Sequence, residues 1–326
     1  MSKRVLNILK YVFATCLAIV LIYLAFRGID WSVFMEGLYE TKWIFVVFSL
    51  GFAILALVIR NERWRLILKP INPQIKRIAM WDASNIGNLV SLGVPWISFL
   101  VRCGAISDKK TPYEKVVGTI IMEKAWDMLT VLSLMVITII IKSDEIAQWF
   151  VENIAKRIAG RISTNIIVIG IILLVAVTAF IVVTYIFKNR HPAFKKMAGW
   201  IDGTLEGFKS LGKVKYKTPF ILYTIIVWLS YAMMCYSIFK AIPSLEHLDI
   251  TDALFISTVG NLSSLLPAPG GFGAYHYFVA LALSHLYGTS WEIGILFATL
   301  THETRSLMLA VLGAISLIRS QKRIKL

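Results

Sequence analysis

Glu123 and Asp127 lie four residues apart in an otherwise apolar run, so a helix would carry both carboxylates on one face. A second group, His302, Glu303 and Arg305, falls about a third of the way into another apolar run. Arg102 follows a stretch broken by Pro95, and His276 follows the run Pro267-Ala268-Pro269-Gly270-Gly271-Phe272-Gly273. Ionisable groups among apolar residues are costly to bury and point to binding or proton handling. Arg102 and Arg305 supply guanidinium forks for phosphate or carboxylate. Glu123, Asp127 and His276 can exchange protons, the histidine near neutral pH, and either carboxylate could serve a transferase as general base. The same residues also fit a structural network, with Arg102 paired to Glu123 and Glu303 to Arg305.

The glycines Gly270, Gly271 and Gly273 permit close backbone approach, and helix ends beside them would offer free N–H groups to an anion. A plain tight turn between two half-helices fits equally well. Arg60, Arg63, Trp64 and Arg65 close an apolar run and read as an aromatic and basic belt at a membrane interface. Headgroup recognition by arginine forks is the sharper alternative for them.

Other chemistries lack their signatures. There is no Walker A sequence, nucleophile elbow or H-E-x-x-H pair. Cys16, Cys103 and Cys235 have no metal-ligand spacing. No cofactor, no metal and no catalytic residue is predicted.

The elements that would position these groups are transmembrane helices. Of 326 residues, 57% are hydrophobic and 16% charged, and the mean hydropathy is +0.71, whereas soluble domains are about 45–50% apolar and about 25% charged. Spans of about 20 apolar residues are predicted at 5–26, 43–59, 116–141, 165–187, 219–240 and 293–318. The first is preceded by Lys3 and Arg4 and lacks an A-x-A exit, so it is read as a retained span rather than a signal peptide. Trp149 and Phe150 suggest an interfacial helix within 142–164. The formal charge of +15 comes from basic residues clustered between spans, where cytoplasmic orientation and anionic headgroups explain them; no nucleic-acid motif is present. Both termini are expected in the cytoplasm.

The stretches 80–101 and 253–287 are interrupted by proline and glycine. Consistent orientation requires each to enter and leave on one side, as a re-entrant helical hairpin. They also share a pattern. Gly87-Asn88-Leu89-Val90-Ser91-Leu92 and Gly260-Asn261-Leu262-Ser263-Ser264-Leu265 agree at five of six positions, at an offset of 173. The expectation is therefore an all-α polytopic membrane protein, about six full spans plus two re-entrant hairpins. It would form a single transmembrane domain over 1–326, with 1–141 and 165–326 as the halves of an inverted-topology repeat.

The ordered set Arg60-x-x-Arg63-Trp64, Asn88, Pro95, Arg102, Glu123-x-x-x-Asp127, Pro269-Gly270-Gly271-Phe272-Gly273 and Arg305 resembles the flippase-like family named for the lysylphosphatidylglycerol synthase transmembrane region. The resemblance spans nearly the whole chain. It implies a multi-pass inner-membrane protein moving an anionic phospholipid, an aminoacylated lipid or a polyprenyl-linked lipid between leaflets. Arg102, Glu123, Asp127, the 269–273 loop and Arg305 fall on family motif positions. Two departures bear on substrate: Ser98-Phe99 stands where many members have Gly-Glu, and Tyr275-His276 where many have a Glu after the loop. The short basic tail ending at Leu326 carries no soluble aminoacyl-transfer domain, so lysyl transfer is not expected. The alternatives are a membrane-embedded transferase, an accessory factor in lipid or envelope glycan modification, and an interaction subunit. Membrane lipids are the expected partners; the sequence sets no oligomeric state.

Overall fold

A computed structural model of the chain describes residues 16, 19–108, 111–142, 216–263 and 268–324. The expected span 165–187, the interfacial helix within 142–164 and most of span 5–26 lie outside the described residues. All regular structure described is helical.

After a helical segment at 19–26, Asp30 caps helix α1 (Trp31–Tyr39), its side chain accepting the Ser32 N–H at 2.9 Å. Helix α2 (Trp43–Leu68) runs for 26 residues, about 39 Å at 1.5 Å per residue and enough to cross about 30 Å of hydrocarbon. Helices α3 (Arg77–Gly93) and α4 (Pro95–Ile106) follow, then α5 (Tyr113–Ile141) with 29 residues. The remainder comprises α6 (Lys217–Ala241), α7 (Ile250–Ser263), α8 (Ala274–Leu286) and α9 (Trp291–Ile324).

Three of these, Trp43–Leu68, Lys217–Ala241 and Trp291–Gln321, are long and apolar enough to cross a membrane. Their outward faces agree with that environment. Ile44, Val47, Phe48, Leu55 and Val58 form an exposed stripe on α2, and Leu307, Val311, Ile315 and Ile318 form one on α9. Leu129, Leu132, Val136 and Ile140 do the same on α5, and Ile221, Ile225 and Leu229 on α6. Spacings of three and four residues place each set on a single helical face. A water-soluble protein hides such stripes, because apolar patches of this extent drive association. Here the apolar faces point out, while Arg63, Asp82 and Glu123 are buried within the bundle.

Both breaks expected from Pro and Gly are present. Proline lacks the N–H that would continue a helix, so α3 stops at Gly93 and Pro95 starts α4 as its first residue. The helices fold back on one another: a side chain at Gly87 would meet Arg102 Cβ at 3.1 Å. Between α7 and α8, Pro269–Gly271 forms a single 3-10 turn, with φ of 61° at Gly270 and 81° at Gly271. L-residues rarely adopt those dihedrals. Here Gly260 packs against the Tyr275 ring. The segments are 14 and 13 residues long, about 20 Å each and short of a crossing.

Helices α2 and α6 pack antiparallel, and the Lys42 N–H donates to the Ala241 carbonyl at 2.8 Å where they meet. At the same end, outside the spans, the Lys42 side chain hydrogen bonds Glu246 and holds its carboxyl below the ordinary range. Helix α3 packs on α9, where Arg319 Nε lies 3.0 Å from Asp82 Oδ1, and α7 packs on α5.

Candidate functional site

The inward faces of α2, α4 and α5 converge on five charged side chains. Arg60 and Arg63, one turn apart on α2, face Glu123 and Asp127, one turn apart on α5. Arg60 Nε donates to Glu123 Oε1 at 2.9 Å, and its Nη2 donates to Asp127 Oδ2 at 3.1 Å. Arg63 Nη2 donates to Asp127 Oδ1 at 2.5 Å and lies 4.0 Å from Glu123. From α4, Arg102 Nη2 sits 2.9 Å from Glu123 Oε2 and forms an ion pair with it. Arg63 and Glu123 are fully buried. The bond count explains how such charges persist in an apolar setting, since buried ions need partners.

Neighbouring aromatic rings hold the cations in place. The Arg102 guanidinium lies 3.8 Å from the Trp64 ring centre, within cation–π range. The Trp64 indole N–H donates to Thr119 Oγ1 at 3.0 Å, which fixes the ring. Trp126 Nε1 likewise donates to Thr224 Oγ1 at 3.0 Å, and Arg63 lies over the Phe220 ring. The Arg102 Nε is buried without a partner, so one donor of that guanidinium is uncommitted.

On the inner side of this group lies a cavity of about 310 Å³. Arg60, Arg102, Lys124 and Arg305 line it, as do His302, Gly270, Gly271 and Tyr275. Hydroxyls and amides from both broken segments complete it, among them Ser91, Ser98, Ser257 and Asn261. Among the described residues, four cationic side chains reach the cavity and no Asp or Glu does. Glu123 and Asp127 sit behind the arginines, orienting them rather than facing the space.

A second polar group lies beside the glycine turn. His302 Nδ1 is 2.7 Å from Glu303 Oε1, and His302 Nε2 is 3.0 Å from the Gly270 carbonyl. His276 Nε2 lies 3.4 Å from the same Glu303 oxygen. The His302 ring also packs on Tyr275 and Phe272.

The structure thus distributes the residues singled out from the sequence. Arg102, Gly270, Gly271 and Arg305 line the cavity. Glu123 and Asp127 support it, and His276 and Glu303 group with His302 behind its lining. Gly273 packs instead against residues 21 and 22. The expected Arg102–Glu123 pair is present. The expected Glu303–Arg305 pair is not found among the described residues: Glu303 turns to the histidines, and Arg305 lies over the Tyr231 ring at 5.6 Å. Residues two apart on a helix point in nearly opposite directions, which accounts for the difference.

Arg60 and Arg63 also depart from the sequence reading. They form the core of the charged network, not an interfacial belt. Their i, i+3 spacing, matching the spacing of Glu123 and Asp127, was the available signal. Lys124 was missed altogether; nothing local distinguished it from a charge at a helix surface.

Outward apolar stripes, helices of spanning length and a buried polar centre together define a multi-pass helical membrane protein. The family model for the lysylphosphatidylglycerol synthase TM region matches residues 7–313. The chain belongs to that family, which ties it to the modification or flipping of membrane lipids. No curated protein and no solved structure shows significant similarity to it.

Proposed function

We propose that this protein is a flippase-like lipid translocase that takes an anionic headgroup into its central cavity while the acyl chains stay in the bilayer. The observation that carries this reading is the charge asymmetry of the cavity wall, four cations and no carboxylate among the described residues. Guanidinium forks suit phosphate oxygens in both geometry and charge. Arg102 lines the cavity and its guanidinium keeps Nε without a hydrogen-bond partner, so the group can turn toward headgroup oxygens without giving up a bond at that atom. Anionic phospholipids, aminoacylated lipids and polyprenyl-linked lipids all present such a phosphate.

An inverted repeat of residues 1–141 and 165–326, with about six spans and two re-entrant hairpins, gives the cavity access from both leaflets in turn. Three observations support it. The shared Gly-Asn-Leu pattern recurs at an offset of 173. The residue each glycine packs against, Arg102 for Gly87 and Tyr275 for Gly260, recurs at the same offset. The contacts of α3 with α9 and of α7 with α5 exchange the two halves in the same manner. In this arrangement both termini lie in the cytoplasm of a cell whose inner membrane holds the protein. The membrane-embedded transferase alternative needs a free general base, and both candidate carboxylates are held by arginines.

Reconstitution into liposomes tests the proposal, using fluorescent anionic and zwitterionic lipids and a quencher confined to the outer leaflet. The wild-type chain is expected to move the anionic probe faster than the zwitterionic one. Losing one charge-assisted contact of about 1.5–3 kcal/mol should slow Arg102→Ala by roughly 10- to 100-fold. A correctly folded wild-type chain that moves neither probe, with or without a proton gradient, would overturn it. So would an Arg102→Ala variant that retains the anionic preference.

A further inference from the structure

We propose that His276, His302 and Glu303 form a binding site for a first-row divalent transition-metal ion, with Zn2+ the first candidate. The argument begins with the proton on His302. The Gly270 carbonyl, 3.0 Å from Nε2, can only accept, so Nε2 carries the proton. The lone pair of Nδ1 then points at Glu303 Oε1 from 2.7 Å. Two acceptors at that separation repel unless a positive charge lies between them.

Without a metal a proton on Nδ1 fills that gap; a divalent ion would replace it and engage a third donor already at hand. His276 Nε2 approaches the same Glu303 oxygen to 3.4 Å from a different helix. The three donor atoms all lie within 4.8 Å of one another. Tetrahedral zinc, at bond lengths of about 2.0–2.1 Å, holds its ligands roughly 3.3 Å apart, so an ion would part His302 Nδ1 and Glu303 Oε1 from their 2.7 Å and draw in the His276 ring, whose donor atom lies within 4.8 Å of both. Two imidazoles and one carboxylate are a donor set suited to zinc and to other divalent transition ions, and poorly suited to magnesium or calcium.

The surroundings match those of a metal ligand. Metal-bound histidines commonly donate their second N–H to a backbone carbonyl, which fixes ring and tautomer; His302 does so to Gly270. The His276 ring is only 3% exposed, so its Nε2 meets Glu303 in a dry setting, although its Nδ1 lacks the backbone partner that His302 has. Sequence spacing gave no hint of this site, because His276 and His302 reach it from separate helices across a turn.

Three protein ligands leave a coordination position for water or an oxyanion. Since His302 lines the cavity, a phosphate oxygen entering that space could take the position. That last role rests on the headgroup reading above; metal binding itself does not.

The test uses the full chain in detergent, with any affinity tag removed, equilibrated with Zn2+ or Co2+ and then desalted. Elemental analysis is expected to find about one zinc per chain, and Co2+ to show the visible absorption of a low-symmetry nitrogen and oxygen site. His302→Asn and Glu303→Gln should each weaken zinc binding by about 100-fold or more, whereas Glu123→Gln should retain it. Gel filtration identifies any variant that fails to fold, and His276→Gln then serves as the second ligand variant. Zinc no higher in the wild type than in folded ligand variants would overturn the proposal. Arg102→Ala losing transport while keeping its zinc would separate this site from the headgroup reading.

Discussion

Replacing Arg63 by alanine is expected to destabilise the folded chain by about 3–5 kcal/mol, because it removes a fully buried cation from a charge network whose carboxylates depend on it. Arg63 does not line the cavity. It anchors Asp127, which in turn fixes one edge of Arg60. Without Arg63 the Asp127 carboxylate keeps only Arg60, and Arg60 is pulled away from its position at the cavity wall. Arg65→Ala provides the contrast. Its pair with Glu62, three residues earlier on the same helix, is partly open to solvent, and pairs of that kind contribute at most about 1 kcal/mol. Thermal unfolding of both variants in the same detergent decides the point. Equal shifts would show that the network holds nothing together. A double-mutant cycle with Asp127→Asn should give a coupling of about 0.5–3 kcal/mol, because the two residues share one hydrogen bond.

Gly273→Ala is expected to be similarly disruptive, for a steric reason. Gly273 has φ 78°, and an added Cβ would lie 2.5 Å from the backbone nitrogen of Ile22 and 2.8 Å from the Leu21 carbonyl carbon. An L-residue in the left-handed region costs about 1–2 kcal/mol. Overpacking against backbone, which cannot rotate away, adds about 1–3 kcal/mol. Gly288→Ala isolates the first effect, since Gly288 has φ 64° but nothing within 4 Å of the added atom. Unfolding midpoints should therefore rank wild type above Gly288→Ala and Gly288→Ala above Gly273→Ala. If the two variants fall together, the contact with residues 21 and 22 is not a packing constraint. Because Gly273 caps α8, its displacement would also shift His276 three residues on.

Much of this arrangement could be read before any coordinates. Helical class and membrane environment follow from composition and from the lengths of apolar runs, which are properties of the chain summed over many residues. The breaks at Pro95 and at Pro269–Gly273 follow from local backbone chemistry. Glu123 and Asp127 share a face because four residues make about one turn.

Partner choice was not legible in the same way. Arg60 and Arg63 stand at the end of an apolar run, where an interfacial belt is the ordinary explanation. Only the arrival of α5, more than fifty residues later in the chain, turns them into the centre of a buried network. Likewise, Glu303 is adjacent to His302 in the chain, but its second histidine comes from α8.

What the sequence alone determined was the solvent each helix prefers, where helices must stop, and which side chains share a face. These depend on interactions within about one turn or on averages over a span. Tertiary structure alone decided which buried charge meets which, and that four cations rather than the carboxylates look into the cavity. Charge pairing is a contact between elements, and no periodicity within one element encodes the identity of its neighbour.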